Sequence, residues 1–326
     1  MAVLGIESSA HTFGAGIVEN GRVLANEKSM YPIGTAGMIP KEVAKFHMRN
    51  ASNVISSAVD EAGISFKEIS GIGYTKGPGI GSCLHIGMLS AKTLARKLNA
   101  GIVPVHHGVA HIEIAKARAS LKDPLALYVS GGNSQILKME KAGRPHYKVL
   151  GETFDIGIGN MLDSLARSLG LKPAWGSTVA KAAKDGSYIQ MPYTVKGMDF
   201  SFTGLLTHAS KLRGRESIKD ICFSVQETAF AMLTEATERA LMLTNSKELC
   251  ICGGVAQSSR LKAALSLMSK EHQVKFGYAE DEFNADNGAM IALAAEKMIR
   301  AGMLARLRDC GTEQRYRIDE AVLWRE

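Results

Sequence analysis

Apolar and polar positions near the N-terminus alternate in a way that sets the first elements. Val3-Leu4-Gly5-Ile6 reads as a strand. A polar turn follows, Glu7-Ser8-Ser9-Ala10-His11-Thr12, and then a second strand to Val18 carrying Gly14 and Gly16. The same order returns from Leu125 to Met139: strand Leu125-Ala126-Leu127-Tyr128-Val129, turn Ser130-Gly131-Gly132-Asn133, strand Ser134-Gln135-Ile136-Leu137. Both stretches predict hairpins whose turns expose backbone N–H groups. A second pattern is doubled too. Gly71-Ile72-Gly73-Tyr74 predicts a strand, Lys76-Gly77-Pro78-Gly79-Ile80-Gly81 a glycine turn, and Ser82 to Leu98 a helix. Leu249-Cys250-Ile251-Cys252, Gly253-Gly254 and the helix pattern from Ser258 to Met268 repeat it. Strand, glycine turn, helix puts a helix N-terminus where it can meet an anion. Taken singly, such glycines are more often plain turn chemistry. Their duplication favours an α/β protein with two related lobes around a nucleotide cleft, dividing near Ser120-Leu121-Lys122-Asp123-Pro124. A Walker-type GxxxxGK[ST] is absent, and so is GxGxxG after the first strand.

The 326 residues are enough for two lobes. Lobe boundaries of 1–120 and 121–326 are expected, with the last helix able to pack back on the first lobe. No stretch of 18 apolar residues occurs, so no membrane span is expected. The N-terminus enters a strand pattern directly, without a charged segment and apolar core of a signal peptide, which points to the cytoplasm. Five cysteines, an odd number without a CxxC pair, fit reduced thiols. Cys250 and Cys252 alternate within a strand and read as core. The net charge of +7 weakly favours a polyanionic partner such as nucleic acid. Basic clusters occur at Lys41/Lys45/Arg49, Lys92/Arg96/Lys97, Lys116/Arg118/Lys122 and from Arg300 to Arg317. Each alone reads equally as a solvated helix face.

The segment Val105-His106-His107-Gly108-Val109-Ala110-His111 holds three of the nine histidines. His107 and His111 are four apart and share a helix face, a spacing that can grip one divalent metal. The same pair reads as well as two helix residues satisfied by ordinary partners. Gly108 stands where zinc proteases carry their glutamate, so water activation is not the chemistry suggested. The best candidate for a third ligand is Asp286, ahead of the helix pattern Ala289 to Ile299. That position also makes it an N-cap candidate. Two imidazoles and a carboxylate suit Zn(II) or Fe(II) with open positions. Asp155 and Asp163 flank a glycine-containing segment. Asp163 is able to accept from a ribose hydroxyl, and either aspartate reads equally as a helix cap or surface residue.

The ordered set GIESSAHTFGAGIV, HHGVAH, YVSGGNSQ, FDIGIGNMLD, KGMDFSFTGLLT, CICGGVA and DNGAMIA resembles the universal tRNA threonylcarbamoyladenosine transferase family. That family includes the catalytic subunit of the KEOPS complex. GIE-x-x-AHTFG and KGMDFSF resemble its archaeal and eukaryotic branch. The resemblance runs from about residue 3 to residue 295. It implies the actin/Hsp70/sugar-kinase fold and transfer of threonylcarbamoyl from threonylcarbamoyl-AMP to the adenosine 3′ of the anticodon in ANN-decoding tRNAs. Implied partners are tRNA, an atypical kinase/ATPase subunit, a small dimerising subunit and a regulatory subunit. The implied cofactor is one divalent metal, Fe(II) or Zn(II), with ATP, AMP or threonylcarbamoyl-AMP as nucleotide.

Carried over by position, the metal ligands fall on His107, His111, Tyr128 and Asp286. The nucleotide-facing residues fall on Tyr128, Val129, Ser130, Gly131, Gly132, Asn133, Asp163, Gly176 and Ser258. Glu7 is implied near the phosphate or its bound water, in a catalytic role. Three departures lie on the nucleotide side. Ser8-Ser9 replaces Gly-Thr. Trp175-Gly176-Ser177-Thr178-Val179-Ala180 replaces Gly-Gly-Pro-x-x-Glu, so Ala180 stands for a ribose-contacting glutamate. Ser258 stands for an asparagine. Two rival readings are a metalloprotease, which leaves the glycine turns unexplained, and a non-catalytic nucleotide-binding scaffold, which leaves the metal triad unexplained.

Overall fold

The structure is a computed structural model that describes residues 1–32 and 38–324. In chain order its strands and helices are β1 Ala2–Glu7, β2 Thr12–Glu19, β3 Arg22–Met30, α1 Pro40–Glu61, β4 Ile69–Gly77, α2 Gly81–Leu98, β5 Gly101–His106, α3 His107–Arg118, β6 Leu125–Val129, β7 Ser134–Glu140, β8 His146–Glu152 and α4 Ile158–Leu169. They continue with α5 Gly176–Ala182, β9 Val195–Lys196, β10 Asp199–Phe200, α6 Thr203–Lys211, α7 Ile218–Thr244, β11 Glu248–Cys252, α8 Ser259–Glu271, β12 Lys275–Tyr278, α9 Asp281–Asn284 and α10 Gly288–Arg300. Among the described residues, no helix is long and apolar enough to cross a membrane.

Two units emerge. The first comprises Met1–Ala117, Glu140–Tyr147 and Ala285–Glu326; the second comprises Arg118–Met139 and Lys148–Asn284. The doubled sequence pattern is a doubled topology. The first unit's sheet has the order β3-β2-β1-β4-β5 and the second's β12-β11-β6-β7-β8. In each, the first strand pairs antiparallel with the next and parallel with a later strand (β1 with β4, β6 with β11), which in turn pairs parallel with the last. Parallel neighbours need crossovers, which α1 and α2 supply in the first unit. The β6–β7 and β1–β2 hairpins and the strand–turn–helix units fall where the apolar pattern puts them.

The division lies close to the expected boundary at 120, and the last helix packs back on the first unit as the expectation allowed. It falls after Ala117, and residues 285–326 belong to the first unit. The physical reason is α10. Its buried face is built from Gly288, Ala289, Ala292 and Ala295, small enough to lie directly on the first sheet. Glycines on β1 and β2 complete the fit: a Cβ at Gly5 would sit 2.1 Å from the Ala292 nitrogen, and one at Gly16 2.2 Å from the Ala289 nitrogen. The helix is also pinned at its far end. Glu296, buried, accepts the backbone N–H groups of Asn20 (2.6 Å) and Gly21 (2.8 Å) at the β2–β3 turn. In the second unit the long α7 buries Leu233, Ala236 and Ala240 in a core shared with Leu165 of α4 and Val179 of α5.

Candidate metal centre

Strand β5 ends at His106 and α3 starts at His107, so the three histidines occupy a strand-to-helix junction. His106 Nδ1 accepts the N–H groups of Gly108 (3.1 Å) and Val109 (3.3 Å), capping the helix. Its Nε2 therefore donates to the Tyr316 carbonyl, at 3.1 Å. Burial pushes this imidazole down to about 3, so it stays neutral. His106 is structural.

His107 and His111 turn the other way. His107 Nδ1 lies 3.0 Å from Glu7 Oε2. Glu7, fully buried at the end of β1, also accepts the Ser9 N–H (2.6 Å) and the Thr75 hydroxyl (2.7 Å). With Nδ1–H donated to Glu7, His107 presents Nε2 toward Asp286 Oδ1 at 3.5 Å; His111 Nε2 lies 3.3 Å from the same oxygen. The rings stand perpendicular with centroids 4.7 Å apart. Donor atoms of His107, His111 and Asp286 all lie within 4.8 Å of one another. This is a carboxylate–histidine relay of the kind that orients metal-binding imidazoles.

The electrostatics suit a cation. Burial alone would lower His107, but the carboxylates of Glu7 and Asp286 outweigh it and lift the group to about 9. For His111 burial prevails and its pKa falls. Burial raises Asp286, yet His107 and His111 hold it well below the usual carboxylate range. Glu7 is likewise held ionised, His107 outweighing its desolvation. Two carboxylates and one imidazolium leave the cluster with an excess negative charge, and a divalent ion replacing the proton on His107 relieves both carboxylates. The donor set fits a metal.

Asp286 is not the cap of α10. That role belongs to its neighbour Asn287, whose side chain accepts the Met290 N–H at 2.9 Å and donates to the Ala285 carbonyl at 2.8 Å. Asp286 is thereby released toward the histidines. Glu7's contacts make it the residue that orients His107.

The first glycine turn is already filled. The Glu313 N–H donates to the Lys76 carbonyl (2.8 Å) and the Gly79 N–H to the Gln314 carbonyl (3.2 Å). A Cβ at Gly77 would meet the Glu313 oxygen at 1.8 Å. The C-terminal tail thus covers this turn, which removes it as a phosphate site.

The second unit holds a cavity of about 630 Å³ lined by Gly131, Asp163, Gly176, Ala180, Gly254 and Ser258, among others. Asp163 accepts the Gly176 N–H at 2.7 Å, joining α4 to the start of α5 at the cavity wall. In the β6–β7 turn, the Ser130 N–H is spent on the Asn133 carbonyl (2.7 Å) and the Asn133 N–H on Ser130 Oγ (3.1 Å). The Ser130 amide is thus used within the turn itself. Ser258 caps α8 through the Leu261 N–H, 3.4 Å. Tyr128 and Val129 end β6, both buried. Asp155 is a brace: it accepts the N–H groups of Phe202 (3.0 Å) and Thr203 (2.9 Å), where α6 begins.

Two basic residues leave the expected clusters. Lys116 is buried and bound to Glu113 at 2.8 Å, and Arg118 is locked in a bidentate pair with Glu280 at 2.9 and 2.6 Å. Sequence reasoning missed Thr75 and the Ser9 amide around Glu7, and Gln226 and Arg260 at the cavity. Nothing in their local pattern marks them.

Comparison with known proteins gives the chain a context. The family model described as TsaD, tRNA N6-adenosine threonylcarbamoyltransferase, matches residues 21–293. A tRNA N6-adenosine threonylcarbamoyltransferase of Thermococcus kodakarensis is 44% identical over 99% of this chain and 100% of its own. The protein of the same name in Thermococcus sibiricus is 43% identical with the same coverage. A probable bifunctional tRNA threonylcarbamoyladenosine biosynthesis protein of Thermoplasma volcanium is 43% identical over 98% of this chain and 60% of its own length. Among solved structures, HypF of T. kodakarensis aligns with TM-score 0.61 at 15% identity, over 90% of this chain and 47% of that one. Component A of (R)-2-hydroxyglutaryl-CoA dehydratase from Acidaminococcus fermentans aligns with TM-score 0.56 at 15% identity, over 92% and 99%. These likenesses show the fold, which is of the actin/Hsp70/sugar-kinase class.

Proposed function

The chain belongs to the tRNA N6-adenosine threonylcarbamoyltransferase family, and from that premise we propose that His107, His111 and Asp286 hold the divalent metal with which it transfers threonylcarbamoyl to a tRNA adenosine. The observation that carries the metal assignment is the convergence of one donor atom from each of His107, His111 and Asp286 within 4.8 Å, with Glu7 fixing one ring. A metal bound there, Fe(II) or Zn(II), supplies Lewis-acid polarisation of the carbonyl and a template for the threonylcarbamoyl moiety. The reaction joins adenosine N6 to the carbamoyl carbon as the bond from that carbon to the phosphate oxygen breaks and AMP leaves. The leaving group is good and the exocyclic amine poor, so positioning carries most of the burden. The second unit's cavity suits the adenylate, with Gly131 and Gly132 toward the phosphate and Asp163 and Gly176 toward the nucleoside. In the first unit, Glu7 keeps His107 in the tautomer that presents Nε2 to the metal. The chain's positive charge suits tRNA phosphates as a sequence-independent attraction. The same reading makes it a cytoplasmic enzyme working with the kinase/ATPase, dimerising and regulatory subunits of KEOPS.

Glu7→Gln preserves the shape of the relay and removes its charge. Zn(II) affinity should fall by about 10- to 100-fold, the usual effect of removing a carboxylate behind a ligating imidazole. Unchanged affinity in a competition titration would contradict the assignment. Because His107 is raised to about 9, its proton competes with the metal at neutral pH. Zn(II) affinity should therefore rise by about tenfold per pH unit toward pH 9 and level off above it. A flat profile from pH 6 to 9 would count against His107 as ligand.

Ala180 lines the second unit's cavity. Ala180→Glu should tighten AMP binding by adding an acceptor for ribose hydroxyls. Calorimetric titration tests this, and weaker binding would show that the ribose is not placed near α5.

A further inference from the structure

Two residues beyond His111 stands a fully buried carboxylate for which the transfer chemistry has no task. Glu113 Oε1 accepts Lys116 Nζ at 2.8 Å and the Tyr147 hydroxyl at 3.2 Å, and Oε2 accepts Lys297 Nζ. Lys116 is on the same helix, three residues on, and already balances the charge. Lys297 is surplus to neutrality, and it comes from α10. Its ammonium also lies 5.8 Å from the centre of the Trp324 ring. A buried ion pair is poor evidence for stability, and its best-attested use is to fix register.

The register in question is that of α3 against α10. Asp286 immediately precedes the Asn287 cap of α10 and meets His107 and His111 at the start of α3. Lys297 lies eleven residues past Asp286, about 16 Å along a helix, and meets Glu113 farther along α3. One contact lets the two helices pivot; two contacts fix their separation and rotation. Metal–ligand distances tolerate only about 0.2 Å. We infer that Glu113 and Lys297 are positioning residues that hold the two histidines and Asp286 at metal-binding spacing. The inference rests on the metal reading above.

Titration of the full chain with Co(II), followed through its d–d absorption, tests it. Lys297→Met leaves the Glu113–Lys116 pair intact. It should weaken Co(II) binding by about tenfold, the lower end of effects seen behind a ligand shell, and alter the d–d band. Lys297→Arg, which keeps the cation, should restore both. Glu113→Gln provides a second route if Lys297→Met folds poorly, with the same expected weakening. A purely structural pair would lower Tm while leaving Co(II) affinity and spectrum at wild-type values in both variants, and that result overturns the inference. Failure of the wild type itself to bind Co(II) would instead overturn the metal reading on which the inference stands.

Discussion

His111→Ala should purify without its metal and transfer threonylcarbamoyl roughly 10³-fold more slowly than the wild type, the scale of losing a preorganised electrostatic group at a reacting carbonyl. The residue is fully buried, and its Nε2 lies 3.3 Å from Asp286. Of the three clustered donors, its removal leaves one imidazole and one carboxylate, which weakens the site for Zn(II) or Fe(II). The effect should appear in the chemical step. AMP binding in the second unit's cavity should stay at the wild-type value, which separates loss of the metal from loss of the fold. A variant with native metal content would refute the ligand role of His111.

Gly5→Ala should be among the most damaging single-methyl changes in the first unit. The added carbon would lie 2.1 Å from the Ala292 nitrogen and 2.4 Å from the Gly288 carbonyl oxygen, both backbone. Backbone has no rotamer with which to retreat, so α10 must move off the sheet. Overpacking of flexible side chains costs about 1–3 kcal/mol, and a rigid clash of this depth should exceed about 3 kcal/mol. Denaturant unfolding measures it. Because Asp286 sits just ahead of α10, metal affinity should fall along with stability. A destabilisation below 1 kcal/mol, in chemical denaturation with an unchanged slope, would show that the helix is less closely seated than these distances require.

Local pattern made much of this chain legible. Period-2 runs and glycine turns placed both hairpins and both strand–turn–helix units, because those signals lie within a few residues of one another. The His107/His111 pair was legible from helical spacing. Asp286 was legible as a residue near a helix start, but not its freedom from capping, since Asp and Asn cap about equally well and the sequence offers both side by side. The bond from Glu7 to His107 spans 100 positions, and no local signal foretells it. Similarly, Lys116 looks like one more surface cation until the fold buries it against Glu113. The covering of the Lys76–Gly81 turn by Glu313 and Gln314 depends on a tail more than 230 residues downstream. That contact, more than any glycine spacing, decides which of two similar turns stays open. The return of residues 285–326 to the first unit follows from small residues on both α10 and the sheet, a match that is visible only once the two are brought together.

Elemental analysis and single-turnover transfer to an ANN-decoding tRNA, measured on the same preparations of wild type, His107→Ala and Asp286→Ala, test the central claim most directly. The account predicts about one equivalent of divalent metal in the wild type and loss of metal and transfer together in both variants, with native circular dichroism retained. Full transfer by metal-stripped His107→Ala would contradict it.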